Sequence, residues 1–343
     1  MKPAYVTDLQ ADQTITSFFL VCDKEIRATR DGKPYLRVEL GDRTGTIEAR
    51  MWDNFEEVAG TIERDDFVKV QARVELYRNK TQLALDRIRR AAPAEIDPAD
   101  YFPHTTEDVE QLYAQLREVV ASVENPWLRR LLVSVVEDPE MIPQLKRAPA
   151  AKTMHHAYLG GLLEHVVSLC GLCRRVAAHY PEVDLDLLLA GAVLHDIGKI
   201  EELSYERSLG YTTTGLLLGH IGLELELITK NIDALEGFPA ELKTLVQHLL
   251  ISHHGRYEFG AMKPPMFREA VLLHYLDDLD SKMGAMRALL ASEKGEGEWT
   301  AWSGALERRL LRLERFRQGK EAGAGLPEQL SLEPTGGPLE PED

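Results

Sequence analysis

In the stretch VLHDIGKIEEL, Val193 to Leu203, a histidine and an aspartate stand side by side in an apolar run, and Gly198 and Lys199 follow at once. Adjacent residues of a helix point about 100° apart, so both side chains reach one point only if something there holds them. A divalent metal ion is the natural candidate, because it takes imidazole and carboxylate together. Further donors are close in sequence: ten of the eleven histidines fall between His155 and His274. His179, beside Pro181, and His248 and His274, inside apolar helical runs, read as ordinary surface or core residues. The others form a pattern. His165 closes HHAYLGGLLEH, where Gly160 and Gly161 permit close backbone approach. His195 and Asp196 follow thirty positions later, and LDDLD supplies the late carboxylates Asp277, Asp278 and Asp280.

Two kinds of element must position these groups. Residues from about 12 to 92 alternate apolar and polar in five runs: TITSFFLVCDKEIRAT, KPYLRVEL, GTIEARMWD, DFVKVQARVELY and TQLALDRIRR. Five short strands match a small OB-type barrel, with a ligand-free β-barrel as the alternative. Tyr35, Arg37, Arg50, Trp52, Phe55, Tyr77, Arg78 and Lys80 fall on or near those strands. Rings that stack bases beside cations that follow a phosphate backbone favour single-stranded nucleic acid. AAPAEIDPADYFPHTTED, rich in Pro and Asp, marks a boundary. From Val109 to about Arg317 the periodicity is helical almost throughout, and after Gln318 nothing could bury a core. The expected order is therefore a multi-domain chain: an all-β OB-type barrel at 1–92, a connector with linker helices at 93–150, an all-α bundle at 151–317 and a disordered acidic tail at 318–343.

Composition excludes several classes. No stretch approaches the roughly 18 apolar residues of a membrane span, and the N-terminus lacks a secretory pattern. Three cysteines cannot build a disulfide framework, which fits a reducing cytoplasm; Cys170 and Cys173 form a lone CxxC in a helical run and read as small core residues. No phosphate loop of the GxxxxGK[ST] type is present. The net charge of −16 argues against a nucleic-acid partner at first sight. Yet Ala11 to Arg90 holds 15 basic and 15 acidic residues, so the excess lies wholly elsewhere, some of it from Glu321 to Asp343, which has six acids and no bases.

His, His-Asp and Asp on separate helices is the ligand order of the HD phosphohydrolase superfamily, which the chain resembles from about Met154 to Met286. That resemblance implies one ion held by His165, His195, Asp196 and Asp277, the last chosen because the family's late motif carries a second Asp three positions on, here Asp280. Asp280 would then orient a ligand. His220 in LLGHIG and the doublet in SHHG match the members that hold two ions. Asp196 would bridge to a second ion on His220 and His253, with His254 a further ligand or a partner of one. With the barrel included, the chain resembles the YhaM-type 3′–5′ exoribonucleases over everything except the acidic tail. It departs from the two-metal cyclic-dinucleotide phosphodiesterases: GRYEFG follows the doublet in place of their GYP element, and Gly161 stands where they carry Glu.

The resemblance implies a metal-dependent phosphodiesterase that degrades single-stranded RNA from the 3′ end. Two ions sharing Asp196 would make water acidic enough to act as a nucleophile near neutral pH. Lys199, a few residues past Asp196, either meets a phosphoryl oxygen or is a solvated helix-end cation. Lys152, His155, His156 and Arg256 are equally readable as phosphate contacts or as surface residues. On the barrel, Tyr35, Arg50, Trp52 and Tyr77 are the expected strand contacts. Nitrogen-rich ligation suits Mn²⁺, Co²⁺, Fe²⁺ or Ni²⁺ better than Mg²⁺. Rival readings are an HD hydrolase of nucleotides or cyclic dinucleotides with a regulatory barrel, and a non-catalytic single-strand-binding adaptor. RNA against DNA, and assembly into a homo-oligomer, are fixed by nothing in the residues.

Overall fold

The computed structural model describes residues 2–29, 31–77, 80–151, 158–205, 210–292 and 297–321. Arg78, Lys152, His155 and His156 lie outside them, as does the expected acidic tail from residue 322 onward. The chain divides into two compact units, Met1–Gly284 and Ala285–Asp343.

The five alternating runs form five strands: β1 (Thr14–Ala28), β2 (Pro34–Asp42), β3 (Gly45–Met51), β4 (Phe67–Tyr77) and β5 (Lys80–Arg90). They close in the order β1-β2-β3-β5-β4, with only β3 and β5 parallel. Alternation is what closes the barrel: Leu36, Val38, Leu40, Ala49, Val68, Val70, Ala72 and Val74 all turn inward and are buried. A short helix absent from the sequence expectation, α1 (Phe55–Ala59), joins β3 to β4 and plugs one end. Phe55 is therefore a core residue of the barrel, not a stacking ring.

The first residues tie this barrel to the connector. Lys2 is buried and donates to Asp42, while its ammonium lies 4.2 Å from the centre of the Phe19 ring. Tyr5 donates to Asp100, and Phe67 stacks on Tyr101 at 4.7 Å. Leu20 of β1, Tyr101 and Phe102 belong to the apolar core of the helices, so the barrel wall and the bundle share packing.

The bundle comprises α2 (Val109–Ser122), α3 (Pro126–Val136), α4 (Met141–Arg147), α5 (Gly161–Ala177), α6 (Leu185–Leu194), α7 (Lys199–Glu202), α8 (Thr213–Asp233), α9 (Ala240–Ser252) and α10 (Arg268–Ser292). Asp108, Asn125, Asp184 and Thr212 accept backbone N–H bonds at the starts of α2, α3, α6 and α8. Eight consecutive residues of α6, Leu187 to Leu194, are buried, which makes it the central helix. Cys170 and Cys173 lie in the same core on α5, and burial pushes the Cys170 thiol up to about 12, so both are inert packing residues. A two-residue hairpin, β6 (Leu203–Ser204) with β7 (Gly210–Tyr211), interrupts the expected all-helical run between α7 and α8. Among the described residues no helix is long and apolar enough to cross a membrane.

In the second unit, residues 297–312 form antiparallel bridges rather than the expected helix, Trp299 with Leu311 and Ser303 with Arg308. Thr300, whose hydroxyl accepts from the Leu310 N–H, holds them together. Helix α11 (Leu313–Glu321) follows.

The approach of α7 to α8 fixes the site. A Cβ built on Gly198 would strike the His220 carbonyl oxygen and come within 2.9 Å of the Glu224 nitrogen, so only glycine allows these backbones to meet. Because both obstacles are backbone, Gly198→Ala is expected to destabilise the protein by about 1–3 kcal/mol or more. A denaturant-melt midpoint equal to that of the wild type would contradict this packing.

Candidate metal centre

The expected donors come from five separate elements. His165 projects from the first turns of α5, His220 from α8 just after its helical path breaks at Gly219, and Asp277 from α10. His195 and His253 occupy equivalent places, as the C-caps of α6 and α9. This resolves the opening puzzle. Helix α6 gives way after Leu194 to a tight turn over residues 195–198, from which His195 and Asp196 both reach the same buried space.

Hydrogen bonds behind the rings decide what faces forward. His195 Nδ1 lies 3.1 Å from the Ala192 carbonyl, and His253 Nδ1 lies 2.6 Å from that of Leu250. His254 Nδ1 is 2.7 Å from the Phe259 carbonyl. A carbonyl oxygen only accepts, so each of these three imidazoles carries its proton on Nδ1 and turns a lone pair outward on Nε2. For His195 and His253 the same bond satisfies a carbonyl left over at a helix end. His165 Nδ1 meets Asp280 at 2.8 Å, and His220 Nδ1 meets Glu202 at 3.3 Å, so carboxylates do for those rings what carbonyls do for the others.

Five Nε2 lone pairs thus converge. His165 Nε2 and His195 Nε2 are 3.3 Å apart, with Asp277 Oδ1 at 3.2 Å from the first and 3.7 Å from the second. His220, His253 and His254 form a second group, and each group has its ligand atoms within 4.8 Å of one another. Asp196, 2 % exposed, stands between them: Oδ2 is 3.4 Å from His195 Nε2, and Oδ1 is 3.7 Å from His220 Nε2. The Nε2 atoms of His220 and His253 are buried without a hydrogen-bond partner. Lone pairs facing one another in a desolvated space repel unless a proton or a cation separates them. A donor set of five imidazole nitrogens and two carboxylates, one central to both groups, fits a pair of divalent ions.

The electrostatics agree. Burial alone would push the Asp196 carboxyl up, but Lys199, His195 and His220 outweigh it and hold Asp196 well below the usual carboxylate range. Lys199 Nζ donates to Asp196 Oδ2 at 2.7 Å. Burial would likewise depress His165 and His195, and their carboxylate neighbours outweigh it, raising both above the usual imidazole value. In the other half burial keeps His253 and His254 below their usual range and hence neutral.

Of the three late aspartates, Asp277 enters the site, Asp280 sits behind His165 and accepts from Ser168 at 2.6 Å, and Asp278 faces away toward Lys282. Three contributors escaped the sequence reading. His274, expected to be a plain core residue, holds the His253 carbonyl through Nδ1 at 3.0 Å. Glu202 orients His220 and carried no signal in the sequence. Glu224 is fully buried with both oxygens unpartnered and lies 3.8 Å from His253 Nδ1. Its spacing of four from His220 was a readable sign that both share one face of α8.

On the barrel, Tyr35 and Trp52 stack with ring centres 4.5 Å apart. The Arg50 guanidinium lies 5.8 Å from the Tyr35 ring and 5.4 Å from that of Tyr77, joining all four expected residues in one patch. Its charge is partly spent, because Arg50 and Arg37 both pair with Glu48. Arg256 is exposed beside the histidine doublet.

Asp280 touches the site only through His165, and removing such a support typically weakens metal binding. Asp280→Asn is expected to lower divalent-metal affinity about 10–100-fold, measured by competition with a chromogenic chelator. Wild-type affinity in that variant would show that His165 needs no carboxylate behind it.

Comparison with known proteins places these parts in a family. Residues 21–91 match the model of the OB-fold nucleic acid binding domain, and residues 162–282 match the HD domain, which implies dependence on divalent metal. The chain is 36% identical over 301 residues to the 3′-5′ exoribonuclease YhaM of Bacillus subtilis, covering 88% of this chain and 95% of that protein. It is 36% identical over 310 residues to the protein of the same name from Bacillus velezensis, covering 90% and 98%. Barrel, helical bundle and near-complete alignment together show that the chain belongs to the family of YhaM-type 3′–5′ exoribonucleases.

Proposed function

We propose that this chain is a divalent-metal-dependent phosphodiesterase that shortens single-stranded RNA from its 3′ end. The observation that carries the reading is the fixed tautomer of the site histidines, which leaves lone pairs aimed at one buried space around Asp196. His165, His195, Asp196 and Asp277 would hold one ion, and Asp196, His220, His253 and His254 the second. Manganese is the proposed metal, since imidazole-rich sites favour it over magnesium. When bound, the ions supply Lewis acidity that activates water and offsets charge on the phosphoryl group.

The protein's own part is to orient and to balance charge. Asp280, Glu202 and the backbone carbonyls of Ala192, Leu250 and Phe259 hold the protons on Nδ1. Lys199, bonded to Asp196, keeps that carboxylate ionised, and its remaining ammonium hydrogens are free to meet a phosphoryl oxygen. Arg256, exposed beside His254, would pair with the backbone phosphate. Tyr35, Arg50, Trp52 and Tyr77 would hold the strand on the barrel, raising its local concentration at the bundle. Lys152, His155 and His156 are proposed substrate contacts only on their position in the sequence. This division of labour follows the proposed segments 1–92, 93–150, 151–317 and 318–343, in a cytoplasmic protein.

Incubation of purified protein with a 5′-labelled single-stranded RNA tests the proposal. A Mn²⁺-dependent ladder receding from the 3′ end is expected, with Asp196→Ala at least about a thousandfold slower because it removes a group common to both ion positions. Intact RNA alongside rapid cleavage of nucleotides or cyclic dinucleotides would overturn it.

A further inference from the structure

Immediately after the histidine doublet the chain makes a tight loop, GRYEFGA, Gly255 to Ala261, that the site chemistry leaves largely unused. The loop is pinned from every side. Gly255 adopts φ +78°, and a Cβ there would run into the His274 ring, so the turn starts where only glycine fits. The N–H groups of Phe259 and Ala261 both donate to the Arg256 carbonyl at 3.1 Å, and Gly260 N–H donates to that of Tyr257 at 3.0 Å. Met262 N–H returns to the Ile251 carbonyl on α9 at 2.9 Å, and Ala261 is buried. The Phe259 carbonyl is the acceptor that fixes His254.

What this anchored loop does with its side chains is unexpected. Tyr257 is 61 % exposed and Phe259 62 % exposed, although their backbone is ordered by four hydrogen bonds and tied directly to a candidate metal ligand. The Arg256 guanidinium lies over the Phe259 ring, 5.9 Å from its centre, and makes no ion pair among the described residues. Glu258, between the two rings, faces solvent. Two aromatic faces and a free cation, held rigid in water next to a hydrolytic centre, lack only the planar, negatively charged partner that such groups bind.

We infer that Tyr257 and Phe259 form a stacking subsite for the nucleobase at the 3′ end of the strand, with Arg256 on the adjoining phosphate. The inference rests on the proposed exoribonuclease reading and adds to it a reason for indifference to base identity. Every base has a π-face, whereas the loop offers its bases no fixed hydrogen-bond donor or acceptor in the form of Asn, Gln or His. Stacking here would hold the terminal nucleotide while the linkage next to it lies over the ions' position. The anchor of His254 is a backbone carbonyl, so truncating either ring leaves the metal centre intact.

The test pairs the double variant Tyr257→Ala/Phe259→Ala with two single-stranded RNAs, one ordinary and one whose 3′-terminal nucleotide is abasic. For ordinary RNA the variant is expected to raise KM about 10-fold or more, with kcat at saturating RNA and Mn²⁺ affinity unchanged. On the abasic RNA, wild type and variant should be equal, because the base they would stack is gone. A fall in Mn²⁺ affinity would make the rings structural, and a change in oligomeric mass would make them a contact between copies; either overturns the inference. An equal KM defect on both RNAs overturns it as well. If the wild type shortens RNA and the variant matches it, the subsite alone falls. If the wild type leaves RNA intact, the exoribonuclease reading falls and takes the subsite with it.

Discussion

Five imidazoles that have already committed their Nδ1 protons are the constraint around which the helical part of this protein is arranged. Once the carbonyls of Ala192, Leu250 and Phe259 and the carboxylates of Asp280 and Glu202 accept from those N–H groups, the Nε2 lone pairs have no choice of direction. They meet around Asp196, a buried carboxylate whose charge is sustained chiefly by Lys199. An arrangement of this kind is expensive to desolvate, and positive charge among the lone pairs is what offsets the cost. Among the described residues the ammonium of Lys199 supplies some of it. Divalent ions would supply more.

The rest of the bundle follows from having to hold these groups still. Ending α6 and α9 at a histidine each lets one ring cap its helix and face the centre at once. The helices behind them are cemented by an apolar core that encloses α6, so His195 and Asp196 leave from the buried end of that helix. Gly198 lets α8 come close enough to deliver His220 and Glu224 together. The barrel joins through Leu20, Phe67, Tyr101 and Phe102, so the patch around Trp52 belongs to the same compact unit as the metal centre.

Much of this could be read before any coordinate. Alternation in five runs marks the strands, and most inward residues are those the period selects, although bulges at Val21–Asp23 and Gln71–Ala72 shift the register. The sequence pattern set His165 and His195 apart from His179, His248 and His274, and the family resemblance added His220, His253 and His254. What escaped depended on tertiary contact. No local pattern marks Glu202 as the partner of His220, or His274 as a prop for His253, since both pairings cross from one element to another. Alternation alone could not assign Phe55 to core or surface, because the five-residue helix that carries it into the barrel core is too short to show a period. The bridged segment at 297–312 looked helical because its apolar residues are spaced ambiguously, while Gly297, Ser303 and Gly304 favour turns.

Whether Asp196 is shared decides between one ion position and two. Crystals grown with Mn²⁺ and measured at the manganese absorption edge would show it without reference to activity. Two anomalous peaks are predicted, one among His165, His195 and Asp277 and the other among His220, His253 and His254, with one oxygen of Asp196 on each. A single peak, or a second one away from the histidine doublet, would contradict the convergence of lone pairs on which the whole reading is built.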